Sequence, residues 1–257
     1  MNTATYLQRI QYSGALTPHA DTLRALHRAH MFTVPFENLS IHSGETIHLN
    51  VPWLFDKIVT RRRGGFCYEL NGLFGWLLTE LGFRVELLSA RVARPDGQFG
   101  QEFDHMVLLV HLEEPWLADV GFGDSYLEPL RLNERGEQND PAGKFRIAEL
   151  DGGLIMEEWV EDKFEAQHLF TLIPRQLADY EMMCHYQQTS PESTFTKKMI
   201  CSKATPNGRI TLSGNRLIHT RHGEREKIDL TGSEEINTSL KAHFGITLKT
   251  YANPLLP

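Results

Sequence analysis

The sequence predicts an α+β protein, on three changes of pattern along its 257 residues. Residues 1–84 are dominated by helical periodicity. From Phe83-Arg84-Val85-Glu86-Leu87 the period shortens to two. Punctuation at Pro95-Asp96-Gly97 and Asp151-Gly152-Gly153 then marks residues 85–190 as antiparallel β structure. Residues 191–257 are mixed: Arg209-Ile210-Thr211-Leu212 turns at Ser213-Gly214-Asn215 into Arg216-Leu217-Ile218-His219, and Glu234 to Phe244 has the spacing of a short amphipathic helix. Length alone favours about two domains, and the pattern divides the chain into three: 1–84, 85–190 and 191–257. No repeat, low-complexity tract or long linker separates them, which predicts tight packing.

The first long helix is expected to start with Thr17 as N-cap and Pro18 at the first helical position, with Leu23, Leu26, His27 and His30 lining one face toward the core. Next comes Arg61-Arg62-Arg63-Gly64-Gly65-Phe66-Cys67-Tyr68-Glu69-Leu70-Asn71, a cysteine at the mouth of a helix behind two glycines and three cations. Leu70, Leu73, Phe74, Leu77, Leu78 and Leu81 repeat at the helical period, and Gly82 is a natural stop. Cys67 therefore lies in or just before the first turn. There the unpaired N–H groups and the positive end of the dipole are expected to lower a thiol pKa of about 8.5 toward neutrality or below. The Gly64-Gly65 pair is expected to let the backbone approach a ligand.

Asp104-His105-Met106-Val107-Leu108-Leu109-Val110-His111-Leu112 and Trp116-Leu117-Ala118-Asp119-Val120-Gly121-Phe122-Gly123 form a hairpin around Glu113-Glu114-Pro115. His105, Val107 and Leu109 share one face, and Leu117 and Asp119 share one face of the partner. With the turn centred on Glu113, Asp119 lies opposite Val107 and diagonal to His105, at roughly 7–8 Å between backbone positions. A centre one residue earlier would set Asp119 directly opposite His105, and both registers stay open. Asp119 sits among apolar residues, where an ionised carboxylate costs several kcal/mol unless a partner meets it. Cys67, His105 and Asp119 then divide the labour of a nucleophile, its base and the group that orients the base.

With these residues in place the chain resembles an arylamine N-acetyltransferase. The likeness rests on blocks in one order: Tyr6-Leu7-Gln8-Arg9-Ile10, Leu26-His27, Val34-Pro35-Phe36-Glu37-Asn38-Leu39, Arg63 to Asn71, His105 in its apolar strand, and Asp119-Val120-Gly121-Phe122-Gly123. It is weaker beyond about residue 130, where Ser190-Pro191-Glu192-Ser193-Thr194-Phe195 carries it. The resemblance implies an amino-terminal helical bundle that supplies the nucleophile, a central antiparallel β-barrel that supplies His and Asp, and a carboxy-terminal α/β lid, around a papain- or transglutaminase-like catalytic core. It also implies Cys67, His105 and Asp119 as catalytic residues, with Phe122 and Phe195 in a flat, apolar acceptor pocket. The loop from Arg94 to Gln101 is similar in position to one that touches CoA, so Arg94 and Gly100 are expected there. Acetyl-CoA enters as a substrate, with no permanently bound cofactor.

Composition agrees. Hydrophobic residues at 41% and charged residues at 23% fit a globular protein with a sizeable core, as does a mean hydropathy of −0.33. No run reaches the roughly 18 apolar residues of a membrane span. A net charge of −7 and a pI near 5.9 argue against a nucleic-acid surface. Three cysteines without a Cys-x-x-Cys pair, and no basic or apolar leader, point to a reduced cytoplasmic protein. His27 with His30, and His219 with His222, lack the neighbours of zinc signatures, so no metal is expected. Three rivals remain: a cysteine hydrolase or transglutaminase-like enzyme, a relative with an unusual acceptor, and a non-catalytic binding module.

Overall fold

The computed structural model describes residues 1–248. Its amino-terminal part consists of α1 (Thr3–Arg9), α2 (Ala20–Thr33), strand β1 (Phe36–Glu37), α3 (Leu39–His42), α4 (Val51–Phe55), a π-helical turn at Asp56–Thr60 and α5 (Cys67–Glu80). Helix α2 begins later than its Thr17-Pro18 signal, because the His19 ring accepts the Asp21 N–H as the cap. Leu23, Leu26, His27 and His30 are fully buried, as their spacing predicts. Helix α5 starts at Cys67 and stops at Gly82, whose N–H bonds Thr79 O while the Phe83 N–H bonds Leu78 O. This bond pair closes a helix on a left-handed residue.

Eight strands follow: β2 (Arg84–Val92), β3 (His105–His111), β4 (Pro115–Ala118), β5 (Leu130–Arg131), β6 (Gln138–Asp140), β7 (Gly143–Leu150), β8 (Gly153–Val160) and β9 (Lys163–Arg175). They form one antiparallel sheet in the order β5-β4-β3-β2-β9-β8-β7-β6, curled into a nearly closed barrel. The turn at Asp151-Gly152 has positive φ at both residues, the backbone a two-residue hairpin needs. Strand β3 reads as an uninterrupted apolar run because both its faces are covered. Val107 and Leu109 join a cluster with Leu117, Tyr126, Phe145 and Phe170. Met106, Leu108 and Val110 join the helical core with Leu70, Phe74 and Leu77.

After a 3₁₀ turn at Leu177–Tyr180 come α6 (Glu181–Thr189), α7 (Thr194–Lys197), strands β10 (Ile200–Thr205), β11 (Gly208–Ser213), β12 (Arg216–Arg221) and β13 (Glu224–Asp229), α8 (Ser233–Ser239) and a π-helical turn at Leu240–Phe244. The second sheet runs β1-β10-β11-β12-β13, so its first strand comes from the amino-terminal helical part. Asn38, next to β1, fastens the two regions. Its Nδ2 donates to Phe195 O at 3.0 Å and Lys198 O at 2.8 Å, and its Oδ1 accepts the Ile200 N–H at 2.8 Å.

The Glu37 and Arg63 blocks meet in a buried ionic cluster. Arg63 lies 2.9 Å from Glu37, and Lys57 lies 2.6 Å from Glu69 and 3.8 Å from Glu37. Paired charges of this kind are costly to bury and more costly to break, which holds the stretch before Cys67 in one geometry. The glycine pair serves the same junction. A Cβ at Gly64 would stand 1.9 Å from Pro35 O, and one at Gly65 would stand 2.7 Å from the Glu69 side chain.

Candidate active site

Three elements converge on a cleft of about 460 Å³ lined by Cys67, His105, Phe122 and Phe195 among others, with Arg94 at its rim. Cys67 is the first residue of α5, and the Glu69 carboxylate steadies that end by accepting the Phe66 N–H at 3.0 Å. His105 opens β3. Leu109 pairs with Leu117 and Leu108 with Ala118, which is the register of a turn centred on Glu113. Continued by one residue, this register sets Asp119 against Val107 and diagonal to His105. The His105 Nε2–H donates to Asp119 Oδ2 at 2.6 Å. Asp119 lies behind His105, fully buried.

Asp119 is held from three further directions, two on its carboxylate and one on its backbone. Asn71 Nδ2 donates to Asp119 Oδ1 at 2.8 Å and to Met106 O at 2.7 Å, and Asn71 Oδ1 accepts the Val120 N–H at 2.9 Å. The Gly121 N–H donates to Asp119 Oδ1 at 2.8 Å. His27 donates from Nδ1 to Leu127 O at 2.8 Å and accepts the Asp119 N–H at Nε2, 3.2 Å away. Burial opposes ionisation of Asp119, but the attraction and hydrogen bond of His105, with the bond from Asn71, outweigh it and hold the carboxyl below its usual range. Burial pushes His27 down to about 4, so it stays neutral and serves as a spacer between α2 and the Asp119 backbone. Asn71 and His27 thus position Asp119.

The thiol departs from expectation. Cys67 is 4% exposed. Burial first, then the negative charges of Asp119 and Asp104, push its pKa well above the ordinary thiol value, outweighing the backbone N–H that favours the thiolate. The helix end alone therefore does not ionise this sulfur. The His105 Nδ1 is the ring nitrogen that Asp119 does not engage.

His168 on β9 is a member of the site that no local pattern announces. It is fully buried, its ring centroid stands 5.5 Å from those of both His105 and Phe122, and neither of its nitrogens has a hydrogen-bond partner among the described residues. Ligand atoms of His105, Asp119 and His168 lie within 4.8 Å of one another. The 2.6 Å contact between Nε2 and Oδ2 is too short for both atoms to sit on one ion with bonds of about 2.0–2.2 Å at tetrahedral angles. Burial, and then repulsion from His105, lower the His168 pKa to about 3. An unfolded chain takes up this proton near pH 6.5, whereas the folded one resists it, so stability falls as pH drops from about 6.5 toward 3. His168→Phe is expected to flatten the fall between pH 6 and 4 by up to about 1.4 kcal/mol per pH unit, read from urea midpoints. An unchanged slope would mean that folded His168 accepts the proton.

Phe122 packs edge-on against His105, with ring centroids 5.2 Å apart. Phe195 lies across the cleft against Phe36 and Phe66. Gly100 is buried beside the site, bonded through its N–H to Val92 O and through its carbonyl to Arg91 Nε. No helix among the described residues is long and apolar enough to cross a membrane.

Residues 19–253 match a family model described as N-acetyltransferase. The chain belongs to the arylamine N-acetyltransferase family. It is 35% identical to the pineal gland isozyme NAT-3 of Gallus gallus, covering 96% of this chain and 95% of that one. It is 34% identical to arylamine N-acetyltransferase 1 of Homo sapiens, over 97% and 95%. Among solved structures, the arylamine N-acetyltransferase of Mycobacterium marinum in complex with CoA superposes with a TM-score of 0.89 at 36% identity, over 95% of this chain and 93% of that one. The fold is that of the family, and the α+β expectation holds.

Proposed function

We propose that this enzyme moves an acetyl group from acetyl-CoA to an arylamine, an arylhydrazine or an N-hydroxyarylamine through an acyl-Cys67 intermediate. One observation carries the reading: a cysteine at the head of α5 and a histidine bonded to a buried carboxylate open onto one cleft walled by Phe122 and Phe195. The CoA complex of the M. marinum relative supports the choice of donor.

His105 takes the Cys67 proton at Nδ1 and becomes an imidazolium, which Asp119 stabilises through Nε2. The sulfur attacks the acetyl-CoA carbonyl, the bond to the CoA sulfur breaks, and CoA leaves with the proton. One thioester replaces another, so the exchange is nearly balanced. The Cys67 N–H, at the first position of α5, is the proposed donor to the developing oxyanion. An aromatic amine, uncharged near pH 7, then attacks the acetyl-cysteine, and His105 accepts its proton; general-base help of this kind contributes about 10²–10⁴ in rate. Arg94 and Gly100 are assigned to the CoA side of the cleft. The helical bundle 1–84, the barrel 85–190 and the lid 191–257 are taken as three domains, with residues 249–257 outside the described residues. The three cysteines are free and buried, which suits a cytoplasmic enzyme.

Kinetics test the order of events. CoA leaves before the amine attacks, so double-reciprocal plots at several fixed amine concentrations are expected to be parallel. Intersecting lines with no acyl-enzyme detectable would sink the covalent route. CoA release that proceeds equally well without an amine would favour the hydrolase alternative.

A further inference from the structure

The cleft holds a charge that the acetyl-transfer chemistry does not use. Asp104 immediately precedes His105 and lines the same space as Cys67. The other carboxylate there, Glu192, is exposed at the rim and 3.4 Å from Lys197. Asp104 is half-buried and clamped on two sides. Its Oδ1 accepts Gln187 Nε2 at 3.0 Å, Gln187 Oε1 accepts Ser193 Oγ at 2.7 Å, and Ser193 Oγ accepts the Phe195 N–H at 3.1 Å. Its Oδ2 rests on the Gly100 backbone, where a Cβ would stand 2.0 Å away. The carboxylate therefore cannot swing out to solvent without undoing the wall that carries Phe195. Its field reaches the nucleophile, contributing to the upward push on the Cys67 thiol. Arg94, which among the described residues is the one arginine or lysine lining the cleft, is an exposed residue of the 93–99 loop.

We propose that Asp104 is a specificity-determining residue of the acceptor step: it selects aromatic amines whose ring substituents are neutral or cationic over those carrying a carboxylate. This rests on the reading of the cleft as an arylamine acetylation site. A like charge within about 6 Å, in surroundings between water and protein interior, weakens binding by roughly one to two orders of magnitude. A cationic or hydrogen-bond-donating substituent meets no such repulsion.

The test pairs 4-aminobenzoate with 4-aminobenzamide as acceptors for acetyl-CoA. The amide group withdraws more electron density from the amine than the carboxylate does, so intrinsic reactivity favours the acid. The wild type is nevertheless expected to show a kcat/KM for the amide at least about tenfold above that for the acid. Asp104→Asn, which keeps an oxygen for Gln187 and removes the charge, is expected to shrink this ratio about tenfold. A wild-type ratio near or below one overturns the proposal without any variant, and so does a ratio that Asp104→Asn leaves unmoved, the result a purely structural tie predicts. Asp104→Ser is the second variant should the asparagine fail to fold. Acetylation of either amine upholds the arylamine reading whatever the ratio; acetylation of neither, with no acetyl-enzyme formed, overturns that reading and this inference together.

Discussion

Cys67→Ser is expected to lower kcat/KM for acetyl transfer by about 10⁴-fold or more while leaving the fold intact. Serine fits the space, since the side chain is close to isosteric and sits at a helix start that tolerates a hydroxyl. What fails is ionisation. Burial and two nearby carboxylates already push a thiol upward at this position, and a hydroxyl starts from a far higher pKa. Intact-mass spectrometry after incubation with acetyl-CoA is expected to show one added acetyl group on the wild type and none on the variant. Cys184 and Cys201 are also buried with raised pKa, and neither has a place in the cleft. A label on either of them would remove Cys67 from the mechanism.

Asp119→Asn is expected to cost about 10³–10⁴ in kcat, the scale of a triad whose base is held in the wrong tautomer. The physical cause is local. Asp119 Oδ1 accepts from Asn71 and from the Gly121 N–H, so an asparagine would place its oxygen there and turn its NH₂ toward His105. Two donors would then face each other across the 2.6 Å contact. The ring relieves this by moving its proton to Nδ1, the nitrogen that must be empty to receive the thiol proton. Alkylation of Cys67 by iodoacetamide at pH 6 is expected to become slow in the variant, with the rate rising only near the pH where a thiol ionises unaided. Equal alkylation rates for a folded Asp119→Asn variant and the wild type from pH 5 to 9 would leave Asp119 a merely structural group.

The elements of the site were readable in the sequence to the extent that they are local. The Cys67 helix follows from the spacing of Leu70, Leu73, Phe74 and Leu77, all of which are buried. The hairpin follows from its β-forming residues, yet its register does not, because Glu113-Glu114-Pro115 accommodates two centres; the observed pairing of Leu109 with Leu117 resolves them. Asn71, His27 and His168 act only because α2, α5 and β9 meet at Asp119, and no window of sequence contains that meeting. The surroundings of the thiol escape a local reading for the same reason. A helix end is visible in ten residues, but the burial that outweighs it belongs to the assembled molecule. The purpose of Gly64 likewise hides in Pro35, a contact across the bundle.

Strand β1 gives the second sheet its first member from a point near the amino terminus, and the Asn38 Oδ1 bond to Ile200 spans 162 positions of chain. During synthesis, Phe36 and Glu37 emerge long before the strand they pair with exists. One edge of the strand is met early by Gly65, but until β10 arrives the other has no native partner, and the closure of so long a loop is what slow folding rates reflect. The carboxy-terminal region, for its part, cannot complete its sheet if produced alone, since β10 would present an open edge of the kind that invites pairing between chains. Truncation after the barrel and expression of the lid by itself are thus two ways of exposing the same seam, and aggregation rather than a smaller stable fragment is the outcome this topology favours.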